Sequence, residues 1–172
     1  IQYLCDTFKG EIDINQENNN GYTALMLAIQ YNTNVEILQY LCDTLKGEID
    51  INVQNNDGCT ALMLAAECNE DVEILQYLCD TFKDKIDINQ ENDDGYTALM
   101  LAIRYSTNVE VIQYLCDTFK GEIDINKHNN DGYTVFMLAA RYNTNLEVIQ
   151  YLCDTFKDAI DINKHNNDGY TA

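Results

Sequence analysis

Histidine and cysteine are the residues of this sequence best suited to bind a metal or to act in catalysis. The 172 residues include two histidines and seven cysteines. His128 and His165 occupy the same position of two repeated segments, and neighbouring segments of a stack lie about 10 Å apart, too far for one ion to bind both. A zinc site needs four ligands at about 2 Å, and no Cys-x-x-Cys or His-x-x-x-His pattern occurs. We predict no metal site.

Most of the cysteines recur at the regular spacing of the repeat. Five of them share one position of successive repeats: Cys5, Cys42, Cys79, Cys116 and Cys153. Stacked helices lie about 8–10 Å apart, whereas a disulfide needs Cα atoms within about 7 Å. We expect free thiols that pack as small apolar side chains. This favours a reducing, intracellular and cytoplasmic location.

The sequence contains no pattern typical of an enzyme. The Asn-Asp-Gly turns resemble a calcium loop, but the residues five before three of the glycines are Val53, Gln90 and Lys127, where that loop needs an acid. No phosphate-binding Gly-x-x-x-x-Gly-Lys loop and no Gly-x-Ser-x-Gly elbow occurs. Carboxylates such as Asp13 recur in every repeat, and Glu11 recurs at Glu48 and Glu122, as expected of a solvated edge. We predict no catalytic residue, no cofactor and no small-molecule substrate.

Charge and hydropathy limit the partners further. The formal net charge is -19, which repels nucleic-acid phosphate and anionic lipid headgroups. No apolar run approaches the roughly 20 residues needed to span a bilayer, and no signal peptide is visible. We expect neither nucleic-acid binding nor membrane insertion, and infer that the partner is another protein.

A repeat of 37 residues organises the whole chain. It is marked by five glycines: Gly21, Gly58, Gly95, Gly132 and Gly169. A period between 20 and 50 residues indicates stacked supersecondary units that share one core. We divide residues 1–172 into one continuous solenoid, with a partial repeat at 1–20, full repeats at 21–57, 58–94, 95–131 and 132–168, and the start of another at 169–172. We expect this to be a slice of a longer array.

Each repeat predicts a turn and two helices. Asn-Gly or Asp-Gly supplies the positive φ of a tight turn, and the threonine two residues after the glycine can cap a first helix of about two turns. Thr33 and Glu36 have the spacing of a capping box for a second helix that continues to about Lys46. The box recurs at Thr107/Glu110 and Thr144/Glu147. In the second full repeat Glu70-Asp71-Val72-Glu73 replaces it, and we expect Asp71 to act as the cap. In the second helix we expect one buried stripe: Ile37, Leu38, Leu41 and Leu45.

The repeat resembles the ankyrin repeat over the whole chain. Residues 131–140, Asp-Gly-Tyr-Thr-Val-Phe-Met-Leu-Ala-Ala, are similar to the family's opening Asp-Gly-x-Thr-Pro-Leu-His-x-Ala-Ala, and Asp161-Ile162-Asn163 is similar to its Asp-Val-Asn ending. Methionine stands at the family's histidine position. The repeat is also longer than the usual 33 residues, and because of this extra length we expect a longer second helix or a wider bend near Lys83. The resemblance implies an all-α solenoid of helix-turn-helix units with hairpin-like loops.

The resemblance also implies where a partner binds. In the family, ligands contact the concave face, which consists of the hairpin tips and the exposed side of each first helix. Tyrosine and arginine dominate interface energetics, and both occupy matching positions here. The predicted partner-binding residues are Tyr22, Tyr31, Tyr96, Arg104, Tyr105, Tyr133, Arg141, Tyr142 and Tyr170. Cysteine interrupts both tyrosine rows in the repeat that begins at Gly58.

The sequence is compatible with two functions. The first is a non-catalytic protein-interaction scaffold that uses the concave face. The second is a structural spacer or filament-associated rod, or a tethering array of a larger protein, because near-identical repeats favour a repetitive or filamentous partner. The tyrosines could also simply stack on those of neighbouring repeats.

Overall fold

The computed structural model describes residues 13–31, 35–45, 47–68, 72–106, 108–143 and 145–172. Helices occur there in pairs, one pair in each full repeat. The first helices have eight residues each: α1 (Ala24–Tyr31), α3 (Ala61–Cys68), α5 (Ala98–Tyr105) and α7 (Val135–Tyr142). The second helices have eleven: α2 (Val35–Leu45), α4 (Val72–Phe82), α6 (Val109–Phe119) and α8 (Leu146–Phe156). The predicted all-α stack of helix pairs is confirmed.

The helices form two layers. Each first helix packs on the first helix of the next repeat, and each second helix on the next second helix. The core lies between repeats as well as within them, and Phe82 and Phe119 are almost completely buried in it. Ile49 and Ile51, which follow α2, are buried as the alternation of polar and apolar residues predicts.

The starts of the helices agree only in part with the predicted caps. The Thr97 hydroxyl accepts a hydrogen bond from the Met100 amide at 3.4 Å, as predicted for a first helix. For the second helices, the capping residues that the structure describes are Asn108 and Asn145, each bonded to the amide two residues later. Thr33, Asp71, Thr107 and Thr144 lie outside the described residues. Asparagine is a better cap than threonine, so the helix begins one residue later than the box predicts.

The predicted buried stripe needs one correction. Leu38, Leu41 and Leu45 are buried in α2, but Ile37 is only half-buried, while Cys42 is completely buried. The cysteines at the corresponding position of α4 and α6 are buried too. Because α2 packs against both α1 and α4, its buried face extends toward Cys42.

The turn glycines bring neighbouring repeats together at the hairpin tips. Gly95 has φ +80°, and a Cβ added there would lie 2.7 Å from the Asn130 amide nitrogen of the next repeat. That amide donates to the Asp94 carbonyl at 3.0 Å. The other turn glycines also have positive φ, so the predicted turn is confirmed.

Asparagines in the loops after the second helices join the repeats a second time. Asn89 donates from Nδ2 to the Glu122 carbonyl at 2.7 Å and accepts from the Asp124 amide at 2.8 Å. The same pair of bonds recurs at Asn15, Asn52 and Asn126. The residues added to the usual repeat form a turn after α4, where the Lys85 and Ile86 amides both donate to the Phe82 carbonyl.

Candidate functional site

The concave face, defined by the hairpin tips and the exposed ends of the first helices, carries the predicted partner-binding residues. Four of these tyrosines are exposed: Tyr31 (73%), Tyr105 (47%), Tyr142 (40%) and Tyr170 (68%). The remaining ones are less accessible. Tyr22 and Tyr133 are half-buried against the core, and Tyr96 is buried.

Helix ends and tip loops hold the side chains of this face in place. Arg104 lies in the last turn of α5 and Arg141 in the last turn of α7, where a cation is favoured by the partial negative charge of the helix C-terminus. At the tip, the Tyr96 amide donates to Asn92 Oδ1 at 2.8 Å. The Tyr133 amide makes the same bond to Asn129. These contacts fix each tip tyrosine opposite the arginine of its own repeat.

Arg104 is surrounded by aromatic rings. Its guanidinium carbon lies 5.2 Å from the Tyr96 ring centroid, 5.0 Å from that of Tyr105 and 5.3 Å from that of Tyr142 in the next repeat. Nη1 also donates a hydrogen bond to the Tyr96 hydroxyl. Cation–π contacts of this kind place a guanidinium over the face of a ring. The N–H groups at the edge of the guanidinium stay available to other acceptors.

Arg141 repeats the arrangement one repeat further along. Its guanidinium carbon lies 5.2 Å from the ring centroids of both Tyr133 and Tyr142, and Nη1 donates to the Tyr133 hydroxyl. Tyr142 therefore contacts both arginines. The structure brings together Tyr96, Arg104, Tyr105, Tyr133, Arg141 and Tyr142, whereas Tyr22 and Tyr31 lie at another groove and Tyr170 lies in the last tip.

Grooves separate the tips from the first helices. One of about 290 Å³ is lined by residues of the first tip and of α1, including Tyr22, Gln30 and Tyr31. Another of about 280 Å³ lies where the tyrosine rows are interrupted, and its lining includes Cys59 and Glu67. Arg104 forms one wall of this second groove. Both grooves are open to solvent on one side.

Burial changes the protonation behaviour of two groups near Arg104. Burial raises the pKa of the Glu67 carboxyl, and the Arg104 guanidinium lowers it by a smaller amount. Burial likewise raises the pKa of Tyr96, again opposed by Arg104. Tyr96 therefore stays a neutral hydrogen-bond acceptor for Arg104 at physiological pH.

The other residues considered for chemistry are placed apart from one another. His128 and His165 are exposed on successive tip loops. No disulfide joins the cysteines that the structure describes, which are Cys42, Cys59, Cys79, Cys116 and Cys153. Within the described ranges no group of three or more histidine, cysteine or acidic side chains is arranged to hold a metal ion. No helix in that part of the chain is long and apolar enough to cross a membrane.

The contacts that fix this face are not among those predicted from the sequence. The tip tyrosine amides donate to Asn92 and Asn129. These bonds have a local signal in the sequence, because an asparagine stands four residues before each of the two tyrosines. The sharing of Tyr142 by two arginines has no such signal, because it joins neighbouring repeats.

Comparisons with known proteins agree with this architecture. The family described as ankyrin repeats (3 copies) matches residues 44–128, and that described as ankyrin repeats (many copies) matches residues 9–65. No curated protein matches the sequence significantly. Among solved structures, the chain is similar to a chain of the complex of the predatory endopeptidase Bd0816 from Bdellovibrio bacteriovorus with immunity protein Bd3460. The TM-score is 0.74 at 28% identity, and the match covers 99% of this chain and 80% of the other.

Proposed function

Because the chain belongs to the ankyrin repeat family, we propose that it is a non-catalytic protein-interaction scaffold whose concave face binds another protein. The observation that carries the proposal is the exposure of tyrosine on that face. Of the large apolar side chains exposed in the described ranges, four are these tyrosines, and the others are Leu146 and Ile162. Exposed aromatic groups beside arginine are typical of binding hot spots.

Contacts within the aromatic cluster support this proposal, because they position its arginines without a partner. Arg104 and Arg141 are held by rings and by tyrosine hydroxyls, so binding would immobilise few additional rotamers. Each rotamer-rich side chain ordered on binding costs about 0.5–1.5 kcal/mol. The similar chain of the endopeptidase–immunity protein complex supports a protein as the ligand.

The regularity of the array supports a spacer or tether as a second function. The paired bonds made by Asn15, Asn52, Asn89 and Asn126 tie each repeat to the next in the same way. We propose residues 1–172 as one continuous array, and a rod of this kind suits a repetitive or filamentous partner. We propose an intracellular, cytoplasmic location because the described cysteines form no disulfide.

The test of the scaffold function is partner capture followed by measurement of affinity with the purified partner. The Tyr105→Ser/Tyr142→Ser variant removes two exposed rings of the concave face and should weaken binding at least tenfold. The matched control is Lys83→Ser/Lys120→Ser on exposed sites that follow the second helices, which should change affinity less than twofold. The opposite pattern would favour the rod. Circular dichroism checks that both variants remain folded.

A further inference from the structure

Two arginines of the concave face form no ion pair within the part of the chain that the structure describes, although the sequence has 29 acidic residues against 10 lysines and arginines. Within the described ranges the ion pair is Lys127–Glu91, with Nζ and Oε1 3.3 Å apart. No carboxylate oxygen in that part of the chain lies within 4.0 Å of Arg104 or Arg141. Arg104 and Arg141 therefore place two positive charges around Tyr142. Glu67, on which Arg104 acts electrostatically, lies with Asp57 and Asp94 in the lining of the groove that Arg104 borders.

The two positive charges also lie close to each other. Both guanidinium carbons are just over 5 Å from the centroid of the Tyr142 ring. The charges are thus separated by no more than about one Debye length at 0.1 M salt, roughly 10 Å. Like charges at this distance repel, and an anion bound beside Tyr142 would relieve the repulsion from both.

Each guanidinium has hydrogen-bond capacity to spare. A guanidinium carries five N–H donors, and the described contacts use one on Arg104 and one on Arg141, each to a tyrosine hydroxyl. The remaining donors can form the paired bonds by which arginine binds a carboxylate. The exposed rings of Tyr105 and Tyr142 offer apolar contact for the stem of the same side chain.

We propose that the partner segment docking at Arg104 and Arg141 is a short acidic peptide stretch, an inference that rests on the concave-face function proposed above. An extended chain advances about 3.3 Å per residue, so two carboxylates two or three residues apart match the two arginines. A nucleic acid is a poorer fit, since it would carry phosphates past the many acidic residues of the rest of the surface. An acidic stretch can place its negative charge at the arginine pair alone.

A random-peptide display library selected against the intact chain tests this inference. Enriched peptides are synthesised with a fluorescent label, and their affinity is measured by fluorescence anisotropy. We expect enriched sequences to contain at least two aspartates or glutamates within four residues. The Arg104→Gln/Arg141→Gln variant should bind them at least tenfold more weakly. Lys83→Gln/Lys120→Gln, which removes the same charge from exposed sites after the second helices, should bind within twofold of the parent.

The outcomes separate this inference from the function on which it rests. Neutral or basic peptides that lose affinity with Tyr105→Ser/Tyr142→Ser, but not with the arginine variant, would overturn the acidic-segment inference and keep the concave-face function. Peptides insensitive to both pairs of changes, or no enriched peptide at all, would contradict both. If the arginine and lysine variants weaken the binding of acidic peptides equally, the affinity depends on overall charge. That result would overturn docking at Arg104 and Arg141.

Discussion

Replacing Gly95 by alanine measures how strongly the hairpin tips hold neighbouring repeats together. Gly95 has φ +80°, a conformation that costs an L-residue about 1–2 kcal/mol. The new Cβ would lie 2.7 Å from the Asn130 nitrogen and 2.8 Å from its Oδ1, so the next tip must move. That movement weakens the hydrogen bonds from Asn130 to the carbonyls of Asp94 and Asp93, at about 1 kcal/mol each. We expect a loss of about 3–4 kcal/mol in the free energy of unfolding.

Two other glycines provide matched controls for this substitution. Gly169 has φ +83° but no heavy atom within 4 Å of an added Cβ, so Gly169→Ala should cost only the backbone term of about 1–2 kcal/mol. Gly121 has neither a positive φ nor a close neighbour, and Gly121→Ala should change stability by less than about 1 kcal/mol. Urea unfolding followed by far-ultraviolet circular dichroism gives the three values. Equal losses for Gly95→Ala and Gly169→Ala would refute the contact between tips.

Three further predictions address the asparagine bonds, the groove beside Arg104 and the thiols. Asn89→Leu removes both bonds to the next repeat and should lower the free energy of unfolding, measured by urea titration, by about 2 kcal/mol. The control is Asn163→Leu, because the Asn163 side chain makes no such bonds in the described residues. It should lower the free energy of unfolding by less than half as much. Glu67→Gln should raise the melting temperature at pH 7.5, because burial raises the pKa of this carboxyl in the folded state and its ionisation therefore opposes folding. This gain should vanish as the pH falls below the ordinary pKa of 4.5, where the carboxyl is protonated in both states, and a lower melting temperature at pH 7.5 would contradict the reasoning. Iodoacetamide at pH 8 should alkylate exposed Cys153 while sparing Cys79, because burial raises the pKa of the Cys79 thiol to about 12. Peptide mass mapping gives the two alkylation rates. Equal rates would contradict the prediction and show that the stack opens readily.

The features predicted correctly from the sequence are those set by residues close together in the chain. Positive φ at Gly95 follows from an Asp-Gly turn, and Thr97 caps a helix that begins at the next residue. The position of the second helix could be predicted only to within a residue, because Thr107 and Asn108 are adjacent and both can cap a helix. The structure describes Asn108 in that role.

Contacts between repeats could not be read from the sequence in the same way. Asn89 bonds to residues 33 and 35 positions later, and the periodicity gives no distance between such positions. Tyr96 and Tyr105 are the same residue type at recurring positions, yet one is buried and the other exposed, because neighbouring side chains decide the exposure. The partner-binding role of the tyrosines and arginines named from the sequence stays a prediction.

Hydroxyl-radical footprinting of the complex with a captured partner shows which face of the array the partner covers. We expect the partner to protect Tyr105 and Tyr142, which are exposed in the free chain, while the exposed surface near Lys83 and Lys120 keeps its reactivity. Protection confined to the surface near those lysines, with both tyrosines as reactive as in the free chain, would contradict binding at the concave face.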